Sequence, residues 1–310
     1  MRKIALVLLV LVIFGLPLFA GGKKDSGAIK IAYLAPHQKN EYQVGLRENF
    51  EKYAKLAGVE YVVYDANQDP AKTVSQIEQC IASGVKGIVT DPSSYEGITA
   101  GVLAAKSAGV PLVLVHEDVV DWQQNATAFI GQNFVNGGMQ KMQQVMKDFP
   151  NGANLAVLYG EVCNKAQIAI NQGYKEALKG QEAKYPYVFD GEGRWAAENA
   201  LDLVSAWLSS GKQIDAIVCN NDGMAIGALQ AVTSAGLAGK ILIYGLDAQQ
   251  DVCTEINKGV IRATIFSNSD EEARVGVDTV LKAIRGEPFQ KEVLLPMELV
   301  TKDNINKYLK

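Results

Sequence analysis

Histidine is almost missing from this chain. Only His37 and His116 occur in 310 residues, too few for a histidine-rich metal centre. Cysteine is scarce as well: the four residues Cys80, Cys163, Cys219 and Cys253 are widely spaced and form no Cys-x-x-Cys pair, which removes zinc knuckles and dithiol redox motifs. Cys80 and Cys219 read as small buried hydrophobes. An oxidising compartment would permit a disulfide without selecting its partners. Concentrated positive charge is lacking too, since the net charge is −4 and no basic run exceeds Lys23-Lys24, so the chain has no field with which to attract nucleic acid.

Several catalytic signatures are also absent. No Gly-x-Gly-x-x-Gly follows the first apolar run, and no Gly-x4-Gly-Lys-Ser/Thr occurs, so nucleotide phosphates have no glycine-rich cradle. Gly-x-Ser-x-Gly and His-Glu-x-x-His are missing. Carboxylates are plentiful, but no spacing singles out the pair that a glycosidase needs. The expectation is a protein with no catalytic residues, no cofactor and no metal.

Long hydrophobic runs are confined to the N-terminus. Arg2-Lys3 precedes an apolar stretch from Ile4 to Phe14, followed by Gly15-Leu16-Pro17 and a polar exit at Ala20-Gly21-Gly22-Lys23. This is the pattern of an export signal with cleavage near Ala20, although Leu18 occupies a position where small residues are preferred. Retention as an anchor is the alternative, opposed by the shortness of the stretch and by Pro17. Residues 1–20 are therefore read as a signal peptide and 21–27 as a linker, which makes the mature protein periplasmic or otherwise extracytoplasmic.

What fills the rest is regular alternation. Short β-rich runs at Ile29 to Leu34, Tyr61 to Tyr64, Gly87 to Thr90, Pro111 to Val115 and Ala128 to Gly131 are followed by five more. These are Leu155 to Tyr159, Tyr185 to Phe189, Ala216 to Cys219, Ile241 to Leu246 and Ala263 to Phe266. Helical patterns such as Leu46, Phe50, Tyr53, Leu56 separate them, with apolar residues three and four apart. Alternating strands and helices imply parallel sheets covered on both faces, and ten runs divide naturally into two doubly wound α/β lobes. The predicted lobes are 28–131 plus 268–295 and 132–267 plus 296–310. A strand-like tail, Glu292 to Val300, follows the helix Asp270 to Arg285, so that crossings near Gln132, Ser267-Asn268 and Leu295-Pro296 would form a three-crossing hinge.

The runs end in polar residues: Asp65, Asp91, His116 to Asp118 and Gln132-Asn133, then Glu161, Asp190, Asn220 to Asp222, Asp247 and Asn268. In open α/β sheets the carboxyl edge is where ligands sit, and two such edges facing each other would line a cleft. Each residue has a plainer reading as a helix cap or turn former. Of the pair Asn221-Asp222, Asn221 is the expected ligand contact, and Asp222 is at least as apt to cap the helix that begins at Gly223 as to touch ligand. Tyr42, Trp122 and Trp195 stand beside strand ends and could offer a flat apolar platform to the C–H face of a sugar, or could be packing anchors.

Taken in order, several segments resemble the periplasmic substrate-binding proteins of ABC sugar importers, the ribose- and galactose-binding group with the type I fold. They are Ile31-Ala32-Tyr33, Asp65-Ala66-Asn67-Gln68-Asp69-Pro70-Ala71, Asp91-Pro92, Ala108 to Val113, Gln132-Asn133, Asn221 to Ala228, Gly245-Leu246-Asp247 and Val300 to Asn304. The resemblance implies pocket roles for Asn40 and Tyr42, for Asn133 near the hinge, for Trp195 as stacking platform, for Asn221 and Asp247 as hydroxyl partners and for Ser267 at the second crossing. It also marks a departure: His116-Glu117 stand where the ribose-type pocket has an Asp-Arg pair, and no arginine occurs near Ile168 to Ile170 where another is expected. Ribose should not be held in the usual way without those bidentate donors. Anionic ligands are poorly served too, since Lys165 and Arg194 are the only nearby cations. The implied function is capture of a neutral monosaccharide or polyol by a monomeric protein that docks on a membrane permease. The rivals are an exported sensor for a chemoreceptor or kinase, a secreted glycosidase and a LacI-type regulator, the last lacking its N-terminal helix-turn-helix here.

Overall fold

The computed structural model describes residues 28–39, 41–162 and 164–309. The expected signal peptide and linker, Asn40 and Cys163 lie outside them. Among the described residues no helix is long and apolar enough to cross a membrane.

The first half alternates β1 (Lys30–Ala35), α1 (Glu41–Leu56), β2 (Glu60–Asp65), α2 (Pro70–Ala82), β3 (Gly87–Thr90), α3 (Thr99–Ser107), β4 (Leu112–Val115), the single turn α4 (Trp122–Asn125) and β5 (Ala128–Gln132). The second half runs α5 (Phe134–Asp148), β6 (Leu155–Tyr159), α6 (Lys165–Leu178), β7 (Tyr187–Glu192), α7 (Ala197–Ser209), β8 (Ala216–Cys219), α8 (Asp222–Ser234), β9 (Leu242–Tyr244), α9 (Gln250–Lys258) and β10 (Ala263–Phe266). The chain closes with α10 (Ser269–Arg285), β11 (Glu292–Leu295) and β12 (Glu298–Thr301).

Two six-stranded sheets result, with strand orders β11-β5-β4-β3-β1-β2 and β12-β10-β9-β8-β6-β7. All pairings are parallel except β10 with β12. Each sheet is covered on both faces, and residue alternation shows why. In β1, Ile31, Tyr33 and Ala35 face the core under α1 and α10, whereas Ala32 and Leu34 face the opposite core. In β6, Leu155 and Val157 enter one core while Ala156 and Leu158 enter the other. A strand buried on both sides needs a continuous apolar run, which is what these segments supply.

The sheets are joined at three places: between β5 and α5, between β10 and α10, and between β11 and β12. The tail, expected as one strand, is two. Proline lacks an N–H and interrupts the ladder at Pro296, which lets β11 pair with β5 of one sheet and β12 with β10 of the other. The seventh strand also differs, beginning after Pro186 and continuing to Glu192. As an edge strand it tolerates Asp190 within its length, so Asp190 does not stand at the cleft as expected.

Candidate functional site

Strand order reverses around β1, which lies between β2 and β3, and around β6, which lies between β7 and β8. At these switch points adjacent connections leave in opposite directions and open a crevice beyond the carboxyl ends. The two crevices face each other across a cavity of 140 Å³. That is below the roughly 300–1,000 Å³ of drug-sized sites, so it suits a single small ring or chain. A second groove of 640 Å³ lies between α1 and the segment Asp247 to Gln250 that leads into α9, and is bordered by Phe266, Ser267 and the C-terminal residues Lys307 to Leu309.

The first lobe contributes Tyr42 from α1, Asp91 after β3, and His116 and Glu117 after β4. His116 adopts a left-handed backbone, φ 66°, unusual for a residue with a Cβ. Glu272 of α10, fully buried, holds it there: one carboxylate oxygen accepts from the His116 N–H at 3.0 Å, and the other lies 3.7 Å from Nδ1. The Tyr42 hydroxyl donates to the same carboxylate, and its ring stacks at a tilt 4.6 Å from the imidazole. Burial alone would pull the His116 pKa down, but Glu272, Asp91 and Glu117 around it raise it to about 10. Burial dominates at Asp91, whose carboxyl is pushed up to about 8. One of its oxygens accepts from Gln43 Nε2 at 2.6 Å; the other is buried with no partner among the described residues.

The second lobe contributes Phe134, Glu161, Asn164, Trp195, Asn220, Asn221 and Asp247. Trp195 is half-buried, has φ 60°, and packs against both cores of its lobe while lining the cavity. Its indole lies over Gly160, where a Cβ would come within 2.1 Å of the ring, so only glycine leaves room for it. Asn221 Oδ1 caps α8 by accepting from Met224 N at 3.0 Å, and its Nδ2 donates to the Trp195 carbonyl at 3.2 Å. The cap open to Asp222 in the sequence thus belongs to Asn221. Asp222 is fully buried and accepts from Thr264 Oγ1 and Gln249 N, fastening α8 to the sheet. Asp247 has φ 130° and a pKa raised well above the ordinary carboxylate value, by burial first and then by Asp222.

The lobes also touch directly. Glu117 Oε1 accepts from Asn164 Nδ2 at 3.1 Å and from Ala166 N at 3.4 Å, at the N-terminus of α6, where the helix dipole favours an anion. Lys165 lies 3.6 Å from Asp118 and 4.1 Å above the Tyr95 ring. His116 packs edge-on against Phe134 at 5.4 Å.

Of the residues expected at the site, Tyr42, His116, Glu117, Trp195, Asn221 and Asp247 come together around the cavity. Asn133 does not: its Oδ1 caps α5 by accepting from Asn136 N, and Phe134 takes the place on the wall. Ser267 is buried at the crossing before α10 and borders the wider groove. Asn40 lies outside the described residues. Trp122 is a core anchor against Phe129. Sequence reasoning placed Asp91 at a strand end without selecting it, and missed Gln43 and Glu272; an acid in the apolar stripe of α10 was the one available signal for Glu272.

Two doubly wound lobes closing on a solute-sized cavity at their switch points define a cleft-type binding protein. The comparisons agree. The periplasmic binding protein domain profile matches residues 31–288, and the chain belongs to that family. It is 32% identical to a putative rhizopine-binding protein of Rhizobium meliloti over 85% of this chain and 87% of that one. It is 29% identical to a xylitol-binding protein of Mycolicibacterium smegmatis over 94% of this chain and 84% of that one. An ABC transporter solute-binding protein from Bacillus halodurans, solved with bound myo-inositol, superposes with a TM-score of 0.87 at 26% identity, covering 92% of this chain and 98% of the other.

Proposed function

We propose that this protein is an exported, monomeric solute-binding protein that captures a small sugar or polyol between its lobes and delivers it to an ABC-type permease. The observation that carries this reading is the cavity itself, walled by polar strand ends from both lobes and bordered by Trp195. Tyr42, Asp91 and His116 would hold the solute on one side, with Asn221, Asp247 and the Trp195 ring on the other. Glu117 belongs to the closure between lobes as much as to the solute. A ligand that contacts both walls favours the closed arrangement by its difference in affinity for the two states. The lobe boundaries follow the three crossings, after Gln132 at the end of β5, at 267/268 and at 295/296. Export by cleavage near Ala20 places the protein outside the cytoplasm, where such a carrier works. A similar structure holding myo-inositol and a relative named for xylitol point to polyols first.

Calorimetry against pentoses, hexoses, inositols and linear polyols tests the proposal. One class should bind with a one-to-one stoichiometry, and Trp195→Ala should weaken it at least ten-fold, about 1.4 kcal/mol, while unfolding with the same cooperativity. Turnover of a saccharide, or no binding across the panel, would overturn it.

A further inference from the structure

The two helices that begin at the first and second crossings each carry one charged side chain that is fully buried: Lys141 in α5 and Glu272 in α10. Both reach strand ends at the cavity. Lys141 donates to the carbonyl of Cys219, the last residue of β8, while Glu272 accepts from the His116 N–H just beyond β4 and from the Tyr42 hydroxyl. A buried charge persists only where partners compensate its desolvation. Glu272 engages more of them, and its root lies at the hinge. Its backbone N–H donates at 3.0 Å to the Asn268 carbonyl, which also accepts from Gln132 Nε2 at 3.4 Å, so the first and second crossings meet one helical turn from this carboxylate.

What Glu272 fixes is the positive charge of the wall. Among the described residues no lysine or arginine lines the cavity, but two histidines do. His37 has its pKa lowered, by burial first and then by Lys39, which leaves it neutral at pH 7. The ring of His116 is instead surrounded by acids: Glu272 on α10, Asp91 after β3, Glu117 on its own loop and Asp247 across the cavity. The Tyr42 ring of α1 stacks on it, and its basic neighbour is His37 after β1. Nδ1 is buried on the Glu272 side at 3.7 Å, while 16% of the side chain is exposed, which turns the opposite edge of the ring to the cavity. A doubly protonated imidazole has a donor on each nitrogen, one for Glu272 and one for the solute, and a charge-assisted hydrogen bond is stronger than a neutral one. We infer that Glu272 is the positioning residue of the first wall: rooted at the hinge, it holds His116 in place as a charged donor, which the solute must meet with an oxygen acceptor. The role of the solute rests on the solute-binding reading; the hold of Glu272 on His116 does not. The raised pKa of His116, about 10, agrees with it.

The test is direct because ring-nitrogen NMR of the solute-free mature protein has only two imidazoles to report, His37 and His116. His37 should titrate below 6.5, and His116 should stay doubly protonated up to about pH 9. Glu272→Gln keeps the size and an acceptor oxygen but removes the charge, so the His116 midpoint should fall by more than about one pH unit with His37 unmoved, and Glu272→Asp, which keeps the charge, should fall less. A wild-type His116 that titrates near 6.5 overturns the inference without any variant having to fold; so does a Glu272→Gln midpoint equal to that of the wild type. Binding supplies a second readout, with myo-inositol and xylitol as probes. Whichever binds the wild type should bind Glu272→Gln about ten-fold more weakly at about pH 9 and recover toward wild type at about pH 6, where the ring regains its proton. A loss that persists at the lower pH would make Glu272 structural only and overturn the inference. If neither polyol binds the wild type, the polyol reading falls, and the ring signals alone decide the role of Glu272.

Discussion

His116 and Asp91 show how a few buried residues set the behaviour of the site. Both hold protons more tightly in the folded protein than free in water. For His116, raised from 6.5 to about 10, the stabilising contribution is complete below 6.5 and is lost as pH rises through 10. For Asp91, raised from 3.8 to about 8, the native state likewise binds the extra proton, so stability declines as pH rises from 3.8 through 8. The sign is the same for the two groups. In the absence of solute the thermal midpoint should therefore fall between about pH 5 and pH 9, each displaced proton contributing at most about 1.4 kcal/mol per pH unit. Asp91→Asn should flatten the lower part of that decline; an unchanged slope by differential scanning calorimetry would show that Asp91 titrates normally. None of this was legible in the sequence, because the causes are burial at Asp91 and, at His116, the carboxylate of Glu272, which stands 156 residues away.

At the scale of elements, strand ends and helix starts divide the polar residues between architecture and ligand. Asn133, Asn164, Asn221 and Asn268 each accept from a backbone N–H in the first turn of the helix that follows. Local sequence announces such caps, since asparagine before an amphipathic run is a common helix start. It does not say which neighbour is inside. Asn221→Ala should cost about 1 kcal/mol as a lost cap. Asp222→Ala should cost about 3 kcal/mol, because it removes the acceptor for Thr264 and Gln249 in a fully buried position. Urea titration of the two variants checks the order, and a larger loss at Asn221 would reverse the assignment.

At the scale of the molecule, the two lobes meet through a small set of contacts around the cavity mouth. Lys165 serves two of them, the Asp118 ion pair and the Tyr95 ring. It is partly exposed, so screening keeps the pair weak; together the contacts contribute roughly 1 kcal/mol, near a five-fold change in the closed-to-open ratio. Lys165→Ala should raise the radius of gyration of the solute-free protein in small-angle scattering and weaken solute binding several-fold. An unchanged scattering profile together with unchanged affinity would assign closure to Glu117 and the three crossings alone.

Composition and order along the chain were enough to define two doubly wound lobes, the three crossings and the strand-end residues from which a cleft could be built. Those features depend on periodicity and on local turn chemistry, which each short segment carries by itself. The tertiary structure decided that Asn133 supports α5 rather than the cavity, that Asn221 rather than Asp222 caps α8, that the tail is two strands, and that Asp91 and Glu272 are central. Each of these turns on packing between segments far apart in sequence, and burial and charge pairing exist only once those segments meet.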